Sequence, residues 1–134
     1  MAPYAAPVII VASDDNPISN QLVKLLESRG FGTIVCTTAA DFIDQWGLVP
    51  GSCVIIDLDL PEGGGQSLAL LFRELAGATP LLLLGGREKD GPEIDTRTID
   101  AIALLNKPVV PLVLFAAIHE AFGSGDEAVF AHNR

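Results

Sequence analysis

Basic residues are scarce in this sequence of 134 residues. Eight Lys and Arg side chains stand against 17 Asp and Glu, which gives a formal net charge of -9 at pH 7. Nonspecific binding to a nucleic-acid backbone requires basic surface, because Lys and Arg neutralise the phosphates. We therefore expect no direct nucleic-acid partner.

Long apolar runs and cysteines are also few. No run approaches the roughly 20 apolar residues of a membrane-spanning helix, and residues 1–7 lack the basic start and apolar core of a signal peptide. We therefore expect a cytoplasmic protein without membrane contact.

Cys36 and Cys53 lie in apolar segments without the spacing of a metal or redox pair, which predicts two reduced core side chains.

Apolar residues are abundant by comparison. They make up 49% of the chain and charged residues 19%, which is sufficient for a buried core. The length fits one ordinary domain. We expect an N-terminal extension at residues 1–7, a single domain at residues 8–122 and a C-terminal tail at residues 123–134.

Apolar, β-rich runs alternate along the chain with segments of helical period. The predicted strands are residues 7–12, 32–37, 53–57, 81–84 and 103–106. The predicted helices are residues 17–28, 39–46, 66–75 and 111–122, with a further short helix within residues 87–100. Such alternation is typical of βαβ units. The sequence therefore predicts an α/β fold, a flavodoxin-like (βα)5 three-layer sandwich whose parallel sheet has the order 2-1-3-4-5.

Charged residues mark the ends of three predicted strands. Asp14 and Asp15 follow the first strand, Asp57 ends the third, and Lys107 follows the fifth. Since ligands bind beyond the carboxyl ends of such strands, we expect these side chains to converge. Clustered carboxylates repel one another unless a cation is present, and oxygen ligands suit magnesium. A lysine there is able to meet a phosphoryl group.

Four motifs in this order carry a resemblance. They are the acidic pair before Asn16-Pro17, Asp57 followed by Pro61 and Gly65, Thr79-Pro80 before a strand, and Lys107-Pro108. Together they resemble the receiver domain of bacterial two-component response regulators over residues 8–122. We interpret Gly63 and Gly64, which lie between Asp57 and Gly65 in the sequence, as part of a flexible loop.

The resemblance implies a role for each matching residue. Asp57 would be the phosphoacceptor, and Asp14 and Asp15 the acidic pair that binds magnesium. The backbone carbonyl of Asp59 would complete the metal shell, and Lys107, before a cis proline, would contact the phosphoryl group. The implied function is phosphoryl transfer from a histidine kinase or phosphotransfer protein onto the receiver, which then acts on a downstream protein target and is not itself an enzyme.

Two positions depart from the family pattern. Gly85 stands where the family has a Thr or Ser hydroxyl, and Leu104 stands where it tends to have an aromatic residue. The backbone N–H of Gly86 remains available for a phosphoryl oxygen. These departures keep open a second interpretation, a pseudo-receiver that binds proteins without depending on phosphorylation.

Two further interpretations compete with these. Asp57-Leu58-Asp59 resembles the Asp-x-Asp motif of haloacid-dehalogenase-type phosphatases, although that motif normally ends the first strand and belongs to longer chains. Asp14 and Asp15 alone would also suit the solvated start of a helix, where acidic residues favour the dipole.

Overall fold

The computed structural model describes residues 7–14, 16–48, 53–60, 64–85 and 99–123. The strands are β1 (Val8–Ala12), β2 (Gly32–Cys36), β3 (Cys53–Asp57), β4 (Leu81–Gly85) and β5 (Ala103–Asn106). The helices are α1 (Asn16–Ser28), α2 (Ala39–Leu48), α3 (Gly64–Ala76) and α4 (Pro111–Gly123). No helix among these described residues has the length and apolar character needed to cross a membrane.

All five strands are parallel and form one sheet in the order β2-β1-β3-β4-β5. The register aligns the carboxyl ends of the central strands. Ala12 of β1 pairs with Ile56 of β3, and Asp57 at the end of β3 pairs with Leu84 of β4. The residues that follow β1 and β5 therefore lie at the same edge as Asp57, and the predicted sheet order is confirmed.

Helices cover both faces of the sheet. Alternate residues of β3 point to opposite sides, so that Ile55 packs in one core with α1 and α4, and Ile56 packs in the other with α2 and α3. The first core includes Leu22, Leu26, Leu114, Ile118 and Phe122, and the second includes Phe42, Leu68 and Phe72. Every residue of β3 and β4 is buried. This is the predicted three-layer sandwich, in which central strands are apolar throughout because both faces are covered.

Most predicted element boundaries agree with the structure to within one or two residues. The bounds of β3 and β5 are as predicted. The interpretation of Gly64 as loop was wrong, because α3 begins at that residue. Of the short helix expected within residues 87–100, only Ile99 and Asp100 fall within the described residues. Residues 1–6 and 124–134 of the expected extension and tail also lie outside them.

The two cysteines are core residues, as predicted. Both are free and fully buried. Burial raises the pKa of Cys53 to about 12. Burial and the nearby carboxylate of Asp41 raise the pKa of Cys36 to about 11. Both thiols are therefore protonated at neutral pH and unsuited to nucleophilic or metal chemistry.

Arg73 connects α3 to the segment that precedes β5. Its guanidinium donates to the backbone carbonyl of Ile99 at 2.7 Å and to that of Asp100 at 3.1 Å. It also donates to the carbonyls of Gly77 and Thr79, which lie between α3 and β4. One planar donor group thus fixes the approach of the chain to β5.

Candidate functional site

Asp57 is the last residue of β3 and is fully buried. The four residues before it are apolar and buried, so the carboxylate lies where the hydrophobic strand reaches the edge of the sheet. Helix α3 packs directly against this point. A Cβ atom added at Gly65 would lie 2.3 Å from the backbone oxygen of Asp57 and 2.6 Å from the Cα of Leu58. Only glycine permits this approach of the helix to the loop that bears the carboxylate.

Lys107 is the positively charged partner of this carboxylate. Its Nζ lies 2.9 Å from both Asp57 Oδ1 and Asp57 Oδ2, and 3.0 Å from Asp59 Oδ2. Only 5% of the lysine side chain is exposed. The backbone N–H of Lys107 donates to the carbonyl of Gly85 at 3.0 Å, which fixes the start of the side chain. Each donor of the ammonium group therefore has a carboxylate oxygen to bind.

Two further donors complete the surroundings of Asp57. The backbone N–H of Asp59 donates to Oδ1 at 2.8 Å, and the Ser13 hydroxyl donates to Oδ2 at 3.1 Å. An ionised carboxylate offers about four lone-pair sites, and here each oxygen accepts two hydrogen bonds. No buried side-chain nitrogen or oxygen within the described ranges lacks a hydrogen-bond partner. The carboxylate is thus fully coordinated by donors of the chain itself.

The charges of the described site residues do not balance. Among these residues, the carboxylates of Asp57 and Asp59 face one ammonium, that of Lys107, so these three groups together carry a net negative charge when all are ionised. Asp14 follows β1 and is exposed. Asp15 lies outside the described residues. Within the part of the chain that the structure describes, no three His, Cys, Asp or Glu side chains form a group that could hold a metal ion.

The side of the site formed by β4 is apolar. A Cβ atom added at Gly85 would lie 3.3 Å from Leu104 Cδ1 and 3.4 Å from Leu58 Cδ1. Leucine side chains therefore line the space into which a larger residue at position 85 would extend. Leu104 is itself 43% exposed.

The structure brings together some of the residues that the sequence singled out. Asp57, Asp59 and Lys107 are in direct contact, and the peptide bond between Lys107 and Pro108 is cis. Gly86, like Asp15, lies outside the described residues.

Ser13 was not proposed as a site residue. The available signal was its position as the first polar residue after the apolar run of β1, one residue beyond the pairing of Ala12 with Ile56.

A buried carboxylate at the end of β3, bound by a lysine that follows β5 of a parallel 2-1-3-4-5 sheet, defines a receiver-type α/β protein. The comparison of sequences agrees with this class. Residues 9–119 match the family described as response regulator receiver domain. The chain belongs to this family, the receiver domains of two-component signalling.

Curated relatives support the same assignment. The tetrathionate response regulatory protein TtrR of Salmonella typhimurium is 28% identical over 121 residues, which cover 90% of this chain and 59% of that protein. The transcriptional regulatory protein FixJ of Azorhizobium caulinodans is 24% identical over 125 residues, which cover 93% of this chain and 59% of that protein. The chain therefore spans less than two thirds of the length of these relatives.

Solved structures share the fold. A putative response regulator from Chloroflexus aurantiacus superimposes with a TM-score of 0.78 at 20% identity, over 87% of this chain and 97% of that one. A CheY-like receiver domain protein from Methanospirillum hungatei superimposes with a TM-score of 0.77 at 22% identity, over 86% and 92% of the two chains. These similarities establish the CheY-like, flavodoxin-like architecture.

Proposed function

We propose that Asp57 accepts a phosphoryl group from a histidine kinase or phosphotransfer protein. The observation that carries this proposal is the contact of the Lys107 ammonium with both oxygens of a buried carboxylate. The ammonium holds both oxygens of the carboxylate that would act as the nucleophile, and so fixes its orientation. The same ammonium is positioned to meet the charge that a phosphoryl group brings to the site.

The other residues of the site have positioning roles in this mechanism. The backbone N–H of Asp59 holds Oδ1, and the close approach of Gly65 fixes the backbone that carries the nucleophile. Lys107 exchanges a carboxylate oxygen for a phosphoryl oxygen as the group arrives, and the backbone N–H of Gly86 would bind a second one. The side chain of Asp59, 17% exposed, would flank the path of a water molecule that hydrolyses the acyl phosphate.

Magnesium is the cation that we propose for this site. The donor set is of the right kind, because the carboxylates of Asp57 and Asp59 outnumber the ammonium and leave negative charge for a hard cation. The proposed ligands are Asp14, Asp15, Asp57 and the backbone carbonyl of Asp59. When bound, the ion would neutralise charge on the transferred group.

The proposed unit is the receiver domain of residues 8–122, with an extension before it and a tail after it. It would work as a signalling module rather than as an enzyme, with a kinase or phosphotransfer protein upstream and a protein target downstream. No direct contact with nucleic acid or membrane is proposed, and the proposed location is the cytoplasm.

Intact-mass measurement tests the phosphoacceptor directly. The protein is incubated with acetyl phosphate and magnesium, and we expect the mass of one phosphoryl group to be added to the wild type but not to Asp57→Asn. Asp59→Asn is the matched control, since it changes a neighbouring carboxylate and leaves the nucleophile. Addition to Asp57→Asn at the wild-type rate would contradict the assignment.

The apolar side of the site supports a second candidate, the pseudo-receiver. Leu104 and Leu58 lie around Gly85, so no side-chain hydroxyl responds to phosphorylation at that strand end. In this alternative the fold binds its target without modification. Wild type that stays unmodified in the mass experiment, yet binds the same target as Asp57→Asn, would favour it.

Incubation with a phosphate ester tests the phosphatase interpretation, in which Asp57 and Asp59 would release inorganic phosphate.

A further inference from the structure

Ser13 is a polar residue in a fully buried position. Its side chain has no exposed surface, and its hydroxyl lies 3.1 Å from Asp57 Oδ2. Its backbone is fixed as well, because its N–H donates to the carbonyl of Cys36 at 2.9 Å. Burial of a hydroxyl is unfavourable unless the group is hydrogen-bonded. Here the bond is made to the carboxylate that we propose as the nucleophile.

The two oxygens of Asp57 are held in different ways. Oδ1 accepts from the backbone N–H of Asp59 at 2.8 Å, a donor that moves only with the loop. Oδ2 accepts from the Ser13 hydroxyl, which is released by rotation about one side-chain bond. Lys107 lies 2.9 Å from each oxygen and does not distinguish between them. Oδ2 is therefore the oxygen that the site can free without moving its backbone.

We propose that Ser13 is a positioning residue for phosphoryl transfer, which orients the Asp57 carboxylate and makes Oδ2 the attacking oxygen. The inference rests on the function proposed above for Asp57. Donors on opposite oxygens, from Ser13 and from the Asp59 backbone, fix the plane of the carboxylate. A fixed plane keeps the attacking lone pair aligned with the incoming phosphorus, and alignment of this kind lowers the barrier.

The step balances with acetyl phosphate as the donor. A lone pair of Oδ2 forms the new bond to phosphorus while the bond from phosphorus to the acetyl oxygen breaks, and acetate leaves with that electron pair. No proton has to be transferred. The Ser13 hydroxyl turns from Oδ2 to an oxygen of the bound phosphoryl group. It thus supplies from the β1 side a hydroxyl that Gly85 does not supply from the β4 side.

The test compares Ser13→Ala with Ser19→Ala. Ser19 is a buried serine of α1, so its substitution controls for the loss of a buried hydroxyl elsewhere. The rate of phosphoryl addition from acetyl phosphate is followed by intact mass. We expect Ser13→Ala to slow the reaction by roughly tenfold or more, the effect of one lost hydrogen bond to a charged group. Ser19→Ala should retain the wild-type rate.

A second measurement does not depend on phosphorylation. The carboxyl carbon signal of Asp57, assigned by its loss in Asp57→Asn, should shift in Ser13→Ala and stay in place in Ser19→Ala. A wild type that is never phosphorylated would refute the proposed function, and the carbon signal would then decide whether Ser13 orients the carboxylate. An unmoved signal overturns the inference. A rate in Ser13→Ala equal to or above that of the wild type also overturns it, because the hydroxyl would then only fill space or block Oδ2.

Discussion

The two sides of Asp57 are built from different chemistry. On the β1 side, the buried hydroxyl of Ser13 donates to the carboxylate at 3.1 Å. On the β4 side, Gly85 has no side chain, and Leu104 and Leu58 lie within 3.4 Å of the position that a Cβ atom would take. One side of the carboxylate is polar and hydrogen-bonded, and the other is apolar and packed.

This difference separates two properties of the site. The surroundings of the nucleophile depend on Ser13, Lys107 and the Asp59 backbone, and none of these requires a side chain on β4. A conformational response to phosphorylation on the surface of the domain would require a group on β4 that contacts the bound phosphoryl group. We infer that the chain retains the arrangement for accepting a phosphoryl group. Its β4 side, in contrast, is poorly suited to convert phosphorylation into a conformational change. The following predictions test that contrast.

The largest effect is expected from Lys107→Met. Removal of the ammonium leaves Asp57 as a buried charge without its cation, a change that costs about 3–5 kcal/mol of unfolding free energy. Urea unfolding at neutral pH measures the loss. In the Asp57→Asn background the same substitution should cost clearly less, since the buried charge is gone. Equal losses in both backgrounds would show that the ion pair does not contribute to stability.

Gly65→Ala should have the next largest effect. The added methyl group would lie 2.3 Å from the Asp57 backbone oxygen and 2.6 Å from the Leu58 Cα, so α3 and the loop must separate. We expect a loss of about 3 kcal/mol, since the clash involves backbone rather than flexible side chains. Gly64→Ala is the matched control, because its nearest neighbour is the Leu60 Cβ at 3.9 Å. A similar stability of the two variants would contradict the close packing of α3.

The same glycines show what the sequence could and could not predict. The bounds of β3 and β5 were predictable because apolar runs end at turn residues, and Asp57 and Lys107 followed from their places at strand ends. The start of α3 was missed because glycine is a poor helix former and a local pattern favours loop. The structure instead requires Gly65 for contact between two elements. Ser13 was missed for a related reason, since its contact depends on the register of β1 against β3.

Magnesium should have a smaller, concentration-dependent effect. A cation that binds only the folded pocket stabilises it by RT ln(1 + [L]/Kd), or about 1.4 kcal/mol at ten times Kd. Thermal melts across a magnesium titration should therefore shift upwards in the wild type. Asp57→Asn, which removes one proposed ligand, should reduce the shift. Melts of the wild type that do not respond to millimolar magnesium would contradict the proposed magnesium site.

The smallest effect on stability is expected at Gly85. In Gly85→Ala the new methyl group meets Leu104 Cδ1 at 3.3 Å and Leu58 Cδ1 at 3.4 Å. These are the ends of flexible side chains, which need to move by only a few tenths of an ångström. The crowding is offset by the roughly 0.5–1 kcal/mol that alanine gains over glycine within a strand. The unfolding free energy should therefore change by less than about 1 kcal/mol.

The functional consequence at position 85 depends on the hydroxyl rather than on size. We expect Gly85→Thr to enlarge the amide shifts of β4 that accompany phosphorylation by acetyl phosphate, because it adds a donor facing the phosphoryl group, worth roughly tenfold or more in the conformational equilibrium. Gly85→Ala adds bulk without a donor and should respond like the wild type. In the double variant Leu104→Ala with Gly85→Thr, the side chain at position 104 no longer crowds the threonine. Equal shifts in the wild type, alanine and threonine proteins would show that the missing hydroxyl at position 85 does not limit the response, and would leave Leu104 or residues 87–100 as the site of divergence in this receiver.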